Sequence, residues 1–205
     1  METARIDRTK EWTVDDYLML GEDLLAQLIN GELVMSPAPN TTHQRVLRNL
    51  YDQLNVLKLG GELFFAPIDL YVDQSNVFQP DLVFVSNKIK SIITERGIEG
   101  VPSLIAEVVS PSNSYVDRNL KKHKYLEIGV LEYWIVDPGN KTLEVYTSNE
   151  DKPTLYLAGE GEVASGVLGA KTFDLKRLFW KLLKSIQKSY KAVFICINVQ
   201  TFYSL

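Results

Sequence analysis

Two acidic residues interrupt apolar segments in the middle of the chain, and they restrict the folds that it can adopt. Asp81 lies in segment 79–85 and Glu107 lies in segment 104–109. Both segments are short, rich in β-branched residues and bounded by Pro, Asn or Ser, which is typical of buried strands. A carboxylate buried in a sheet costs several kcal/mol unless a metal ion, a cation or hydrogen bonds compensate it. The pattern therefore predicts a site that uses both carboxylates.

Length and composition predict one ordinary globular domain. A chain of 205 residues is long enough for one well-buried domain and short for two. The single cysteine, Cys196, excludes an intrachain disulfide and an all-cysteine zinc site, and it fits a reducing compartment. The chain has no run of eighteen apolar residues, and its first residues do not resemble a signal peptide. We therefore expect a cytoplasmic protein that does not associate with membranes.

The charge distribution leaves nucleic-acid binding open. A net charge of −4 argues mildly against a protein whose main function is to bind nucleic acid, because phosphate neutralisation supplies most non-specific affinity. Segment 171–191, however, contains seven Lys or Arg residues against one acid, Asp174. A basic patch on an acidic protein is compatible with this pattern, so the overall charge does not decide the question.

Periodicity and turn residues predict mixed α/β secondary structure. The predicted helices begin at Thr13 and Thr42 and span 114–128 and 175–188. The predicted strands are 26–29, 32–35, 63–72, 77–85, 104–109, 132–136, 142–147, 154–157 and 166–173. Asn30-Gly31 suits the turn of a β-hairpin, and Gly60-Gly61 and Gly129 are expected to end the second and third helices. We expect the strands of Asp81 and Glu107 to lie side by side.

The residue types around these strands match the needs of metal-dependent phosphodiester hydrolysis. Such chemistry needs one or two carboxylates to hold Mg²⁺ and a positive group near the attacking water or the phosphate oxygens. The usual arrangement on the second strand is Glu-x-Lys, with both side chains on one face. Here Glu107 is followed by Val108 and Val109, so the lysine is missing from that place. Lys121, on the predicted helix that follows, is the best substitute.

Four motifs occur in a fixed order along the chain: PDLV at 80–83, EVVSPS at 107–112, Asp117-x3-Lys121-x3-Tyr125-x3-Gly129-Val130, and EYWIVDP at 132–138. Together they resemble the restriction-endonuclease domain family of the Uma-two type, within the PD-(D/E)xK nuclease superfamily. The resemblance covers about residues 15–180. The chain differs from the family around the first hairpin: members commonly carry Glu and Asp there, whereas this chain has Gln27 and Asn30.

The resemblance implies a restriction-endonuclease-like α/β core, in which helices flank a mixed central sheet, with extra N-terminal and C-terminal hairpins. It implies that Asp81 and Glu107 are catalytic metal ligands and that Lys121 is the relocated catalytic lysine. We expect the domain to span residues 13–180, followed by an extension, 181–205, of unknown role. Mg²⁺ is the expected cofactor, with Mn²⁺ as the alternative.

Each candidate residue also has a purely structural interpretation. Asp81 can be a strand-entry residue and Lys121 a solvated helix charge, whereas Glu107 is harder to explain structurally. Four further residues are second-rank candidates for the site: Glu32, His43, Asp117 and Tyr125. For His43 a capping or surface role is favoured, His123 is expected to be solvated, and the aromatic pair Tyr133 and Trp134 is expected to pack in the core.

The leading hypothesis is a metal-dependent DNA endonuclease. The alternative is a nuclease-fold protein that binds nucleic acid or a protein partner without cutting, which the acidic net charge and the missing Glu-x-Lys lysine favour. The chain has neither a Gly-x-Ser-x-Gly elbow nor a phosphate-binding Gly-rich loop, so serine hydrolysis and nucleotide hydrolysis are unsupported. We also predict a homodimer, with a contact surface formed by segment 192–205 and by the helix that contains Leu178, Phe179, Leu182 and Leu183.

Overall fold

The computed structural model describes residues 9–20, 25–35, 38–110, 114–148 and 152–179. Within these residues the α-helices are Val14–Leu18 (α1), Thr41–Leu57 (α2) and Lys122–Glu127 (α3). A π-helical segment, Val116–Lys121, leads directly into α3, and 3-10 turns occur at Asn87–Ile92 and Leu175–Arg177. The helices predicted to begin at Thr13 and to lie in segment 114–128 are therefore confirmed.

Two sheets, of five and six strands, organise the described residues, together with a small C-terminal hairpin. The strands in chain order are Ala26–Ile29 (β1), Glu32–Met35 (β2), Gly61–Phe65 (β3), Leu70–Asp73 (β4), Asn76–Phe78 (β5), Leu82–Ser86 (β6), Ile98–Glu99 (β7), Leu104–Val108 (β8), Glu132–Asp137 (β9), Thr142–Thr147 (β10), Thr154–Leu157 (β11), Glu162–Val163 (β12) and Phe173–Asp174 (β13). The six-stranded sheet has the order β11-β10-β9-β8-β6-β3. Only β8 and β9 pair in parallel there, so this sheet is mixed, as predicted.

The six-stranded sheet is buried on both faces, and β9 shows why. Its side chains alternate between two apolar clusters, because successive residues of a strand point to opposite faces. Trp134 and Val136 pack in the cluster that contains the apolar face of α2, including Leu50. Tyr133 and Ile135 pack in the other cluster, which contains Tyr125 of α3. The sheet therefore lies between α2 and α3, and Tyr133 and Trp134 are core residues, as predicted.

The five-stranded sheet lies at the N-terminal side and has the order β2-β1-β5-β4-β7. Its first hairpin turns at Asn30 and Gly31, whose φ angles of 51° and 77° are in the left-handed region that this turn requires. The hairpin prediction is confirmed, but the hairpin belongs to a complete second sheet. This sheet packs on α1 through Tyr17, Leu28 and Val77.

The two long strands predicted at 63–72 and 77–85 are wrong, because each is two strands that belong to different sheets. The chain leaves the six-stranded sheet after β3 at Ala66-Pro67 and re-enters the five-stranded sheet at β4. It returns through Pro80, between β5 and β6. Proline has no N–H to donate to a strand ladder, so both crossings fall where a continuous strand would lose hydrogen bonds.

The predicted end of the second helix at Gly60-Gly61 is also wrong. The helix ends at Leu57, and Lys58 caps it in the left-handed region with a φ of 50°. Gly61 instead begins β3, where an added Cβ atom would lie 2.2 Å from the carbonyl oxygen of Val85. A close approach between two strands, rather than a helix end, therefore explains that glycine.

The C-terminal predictions hold in part. Segment 166–173 is mainly turn, and only Phe173 lies in a strand, because β13 pairs with the short β12. Leu178 is fully buried and Phe179 packs against the same core, so these two side chains stabilise their own domain. The remaining residues of the predicted helix and contact surface lie outside the described residues. Within the described part of the chain, no helix has the length and apolar character needed to span a membrane.

Candidate active site

Strand pairing brings the two predicted carboxylates together. In the antiparallel pair of β6 and β8, Leu82 lies opposite Ala106, so Asp81 and Glu107 are the next pair of positions along the ladder. The backbone N–H of Asp81 donates to Glu107 Oε2 at 3.4 Å, and the N–H of Val108 donates to Asp81 Oδ2 at 2.7 Å. Backbone hydrogen bonds therefore tie the two carboxylates to each other's strands.

The helical segment after β8 supplies the cation. Lys121 Nζ lies 2.9 Å from Glu107 Oε1 and 3.4 Å from Asp117 Oδ1, and Tyr125 OH donates to the same Glu107 oxygen at 3.3 Å. Asp117, Lys121 and Tyr125 are four residues apart, a spacing that places them on one helix face. The π-helical segment ends at Lys121, and such segments are frequent at functional sites. This arrangement provides a buried ammonium group without a Glu-x-Lys strand.

The first turn of α2 adds an imidazole to the site. Asn40 caps the helix by accepting a hydrogen bond from the N–H of His43 at 2.9 Å. His43 Nε2 lies 2.9 Å from Asp81 Oδ2, and its Nδ1 is buried with no hydrogen-bond partner among the described residues. The expected capping or surface role for His43 is therefore wrong: its side chain is 10 % exposed and orients Asp81. The two residues are 38 positions apart, and no sequence signal pairs them.

Burial and crowding of like charge perturb the ionisation of the site. Burial raises the pKa of Glu107 most; the Lys121 ammonium opposes this shift, and the carboxylates of Asp117 and Asp81 add to it. Burial also raises the pKa of Asp117, again against the influence of Lys121. Three carboxylates thus share one ammonium group in a poorly solvated space. Strongly perturbed groups that meet in a cleft are typical of functional sites.

The two cationic groups respond in the opposite sense. Burial lowers the pKa of Lys121, but the Glu107 and Asp117 carboxylates outweigh it, so the net pKa is raised. For His43 burial again lowers the pKa, and the hydrogen bond and negative charge of Asp81 outweigh it. Both groups are therefore biased towards their charged forms, which offsets part of the negative charge.

A cavity of about 360 Å³ lies above these residues. Its polar part is formed by Gln27, His43, Gln79, Asp81, Glu107, Ser110, Asp117 and Lys121, and its apolar part includes Leu25, Ala38, Pro39, Ala66 and Pro67. The volume falls at the lower end of the range for small-molecule sites, about 300–1,000 Å³. The cavity can therefore hold a group about the size of a nucleotide.

The structure places the remaining candidates as follows. Glu32 is exposed on β2 and does not line the cavity, whereas Tyr125 is fully buried beneath Glu107. Gln27 lines the cavity and its Oε1 accepts a hydrogen bond from the N–H of Gln79 at 2.9 Å. His123 is exposed, as predicted. Asn40 and Ser110 also line the cavity, and sequence patterns alone gave no reason to select them.

The architecture is that of the restriction-endonuclease-like fold, and comparisons with known proteins agree. A family model described as "Uma2: Putative restriction endonuclease" matches residues 14–176, and the chain belongs to this family. The chain is 30% identical over 163 residues to uncharacterized protein sll1609 of Synechocystis sp., a match that covers 76% of this chain and 92% of that protein.

A solved structure, described as a "putative nuclease belonging to DUF820" from Anabaena variabilis, has the same fold. It superposes with a TM-score of 0.69 at 20% sequence identity, and the match covers 82% of this chain and 97% of that one. The predicted restriction-endonuclease-like fold is confirmed.

Proposed function

We propose that this protein is a metal-dependent DNA endonuclease that hydrolyses phosphodiester bonds in the cavity above Asp81 and Glu107. One observation carries the proposal: two carboxylates from adjacent strands and a buried lysine from the following helix meet in a single cavity. Membership in a family described as restriction endonucleases supports the reaction class. Asp81 and Glu107 are the proposed metal ligands, and Lys121 is the proposed catalytic lysine.

The donor set suits Mg²⁺, with Mn²⁺ as the alternative. Mg²⁺ prefers carboxylate oxygens and is usually bound by one or two of them, with waters completing its coordination. Asp81 and Glu107 would supply two oxygen ligands, and no larger group of His, Cys, Asp or Glu side chains in the described part of the chain is arranged to hold a metal ion. The surplus of carboxylates over cations around Glu107 favours a divalent ion. When bound, Mg²⁺ supplies positive charge to the phosphate oxygens and activates water.

The protein's own side chains would position the reaction. His43 and the N–H of Val108 hold Asp81 in one orientation, and Lys121 and Tyr125 hold Glu107. Lys121 would also orient the attacking water or offset charge that develops on the phosphate, where a positioned cation is most effective in a poorly solvated site.

The test is plasmid nicking by the purified chain in Mg²⁺ or Mn²⁺. We expect Asp81→Asn and Glu107→Gln each to reduce the rate by about 100-fold or more, because each removes a ligand charge at the reacting centre. Glu160→Gln is the matched control: it removes an exposed carboxylate that does not line the cavity, and it should cut at the wild-type rate. Nicking that survives Asp81→Asn would refute the proposal.

A second candidate function is binding without cutting. It is favoured by the Lys121 ammonium, which lies at 2.9 Å from Glu107 Oε1 and compensates that carboxylate without a metal ion. Titration calorimetry with Mg²⁺ and Mn²⁺ separates the two functions. Binding heat that depends on Asp81 and Glu107 supports the nuclease, whereas no such heat supports the non-cutting protein.

The homodimer stays a prediction. Leu178 and Phe179 belong to the core of their own domain, so the proposed contact rests on Leu182, Leu183 and segment 192–205, which lie outside the described residues. Light scattering on the intact chain and on a chain ending at Lys184 tests it. A monomer in both cases refutes the dimer, and a dimer in both excludes a role for the last residues.

A further inference from the structure

The residues that would carry out the chemistry lie at the bottom of a recess. Glu107, Lys121 and Asp117 are 3%, 4% and 5% exposed, and only Asp81 presents a larger part of its side chain. Double-stranded DNA is stiff, with a persistence length of about 50 nm, and its phosphates lie on the outside of the helix. A flexible strand can bend one phosphate into such a recess, whereas a stiff duplex cannot follow the recess as closely. The depth of this site favours a flexible, unpaired strand.

A second cavity continues the first. It has a volume of about 370 Å³ and shares Asn40, His43 and Ser110 with the cavity above Asp81. Its other polar lining includes the hydroxyl groups of Thr42 and Ser114. Two adjoining cavities of nucleotide size, which meet at His43, match successive units of one strand better than they match the two strands of a duplex.

The charges lining both cavities give little electrostatic affinity for a nucleic-acid backbone, because the lining includes the carboxylates of Asp81, Glu107, Asp117 and Asp137. Lys121 is the one lysine or arginine among the described lining residues, and it is paired with Glu107 and Asp117. Arg118, which lies close by, is held by Asp137 at 3.0 Å and by Glu144. Duplex and single-strand binding both draw on unpaired cations that neutralise phosphates, and single strands gain further affinity from base stacking. This surface therefore needs another source of affinity.

Two exposed aromatic residues next in sequence to lining residues offer such a source. Tyr115 is 70% exposed and directly follows Ser114, which lines the second cavity. Phe65 is 56% exposed and directly precedes Ala66, which lines the first cavity. Unpaired bases stack on such rings, whereas paired bases within a duplex are already stacked on their neighbours.

We propose that the substrate is single-stranded DNA, which threads through the two adjoining cavities and stacks a base on Tyr115. The scissile phosphate lies above Asp81 and Glu107, and the neighbouring nucleotide occupies the second cavity. This inference deepens the proposed function and rests on it for the cleavage step alone, because strand binding does not require cutting.

Fluorescence anisotropy with the full chain carrying Asp81→Asn tests the binding step in Mg²⁺. The probes are a labelled strand of about 16 nucleotides and the same strand annealed to its complement. We expect the single strand to bind about tenfold or more tightly than the duplex, because only its bases are free to stack. Adding Tyr115→Ala should weaken single-strand binding by roughly fivefold or more and leave duplex binding unchanged.

The control is Leu155→Ala, which removes another exposed apolar side chain that lines neither cavity and should not change either affinity. Equal affinity for both probes, no binding of the single strand, or no effect of Tyr115→Ala would overturn the inference. Cleavage of the same probes by the unmutated protein separates the two proposals. Selective binding without cutting overturns the endonuclease alone, and equal cutting of both probes overturns the single-strand preference alone.

Discussion

The ion pair between Lys121 and Glu107 gives the sharpest prediction about the stability of this fold. Lys121→Met keeps most of the side-chain volume and removes the ammonium group, which lies 2.9 Å from Glu107 and 3.4 Å from Asp117. At about pH 9, above the pKa of Glu107, removing one partner of a buried pair leaves an uncompensated charge and costs about 3–5 kcal/mol. For a domain of this size each kcal/mol lowers the melting temperature by about 2–4 °C, so we expect a loss of about 6–20 °C.

The loss should depend on pH. Burial raises the pKa of Glu107 from 4.5 to about 8 in the folded protein. Between these two pH values the folded state therefore keeps a proton that the unfolded state has released. The stability that this bound proton contributes is fully present below pH 4.5 and is lost as the pH rises through about 8. Lys121 opposes that shift, so Lys121→Met raises the pKa of Glu107 further. The variant should therefore lose more stability at about pH 9 than at about pH 5.

Urea unfolding followed by circular dichroism at both pH values measures the loss. Lys122→Met is the matched control, because its ammonium group lies over the ring of Tyr146 at 4.9 Å and should contribute about 0.5–1 kcal/mol. The double variant Lys121→Met with Glu107→Gln should recover part of the loss at about pH 9, since it no longer buries that charge. If Lys121→Met costs no more than Lys122→Met, or costs the same at both pH values, the buried pair is not the source of stability that we describe.

Three further predictions follow from single contacts. Mg²⁺ at about 100 times its dissociation constant should raise the free energy of unfolding by about 2.7 kcal/mol. Asp81→Asn should abolish this shift, and an equal shift in that variant would contradict the metal site. Asn40→Ala removes the α2 cap and should cost about 1 kcal/mol in urea unfolding; no loss would mean that the cap is dispensable. Leu50→Ala opens a cavity under the central sheet and should cost about 2–5 kcal/mol in the same assay; a loss below 1 kcal/mol would contradict the packing described for α2.

The position of Lys121 shows that an element other than a Glu-x-Lys strand can supply the positive charge of the site. In the Glu-x-Lys arrangement both side chains leave one strand on the same face, because successive residues alternate. Here Val109 occupies that place and packs in the apolar cluster beneath α3. The ammonium group arrives instead from the helical segment, one turn after Asp117. The role of Lys121 as the relocated catalytic lysine stays a prediction, and its ammonium group lies beside Glu107.

Much of the architecture followed from local sequence signals. Turn chemistry at Asn30-Gly31, the cap at Thr13 and the apolar segments around Glu107 act over a few residues, so the elements they predict are the ones observed. The two carboxylates stood out because an apolar strand has no packing use for a charge. Local patterns thus determined the existence of the main elements and the candidates Asp81, Glu107 and Lys121.

Tertiary structure alone decided which strands share a sheet and which distant groups meet. Pro67 and Pro80 interrupt segments 63–72 and 77–85, but only the packing of the two sheets assigns the two parts of each segment to different sheets. His43 contacts Asp81 because α2 packs across the sheet with its first turn at the start of β6, a relation that no local pattern encodes. Local propensity acts between neighbours in sequence, whereas a site is fixed by packing between residues that are far apart in the chain.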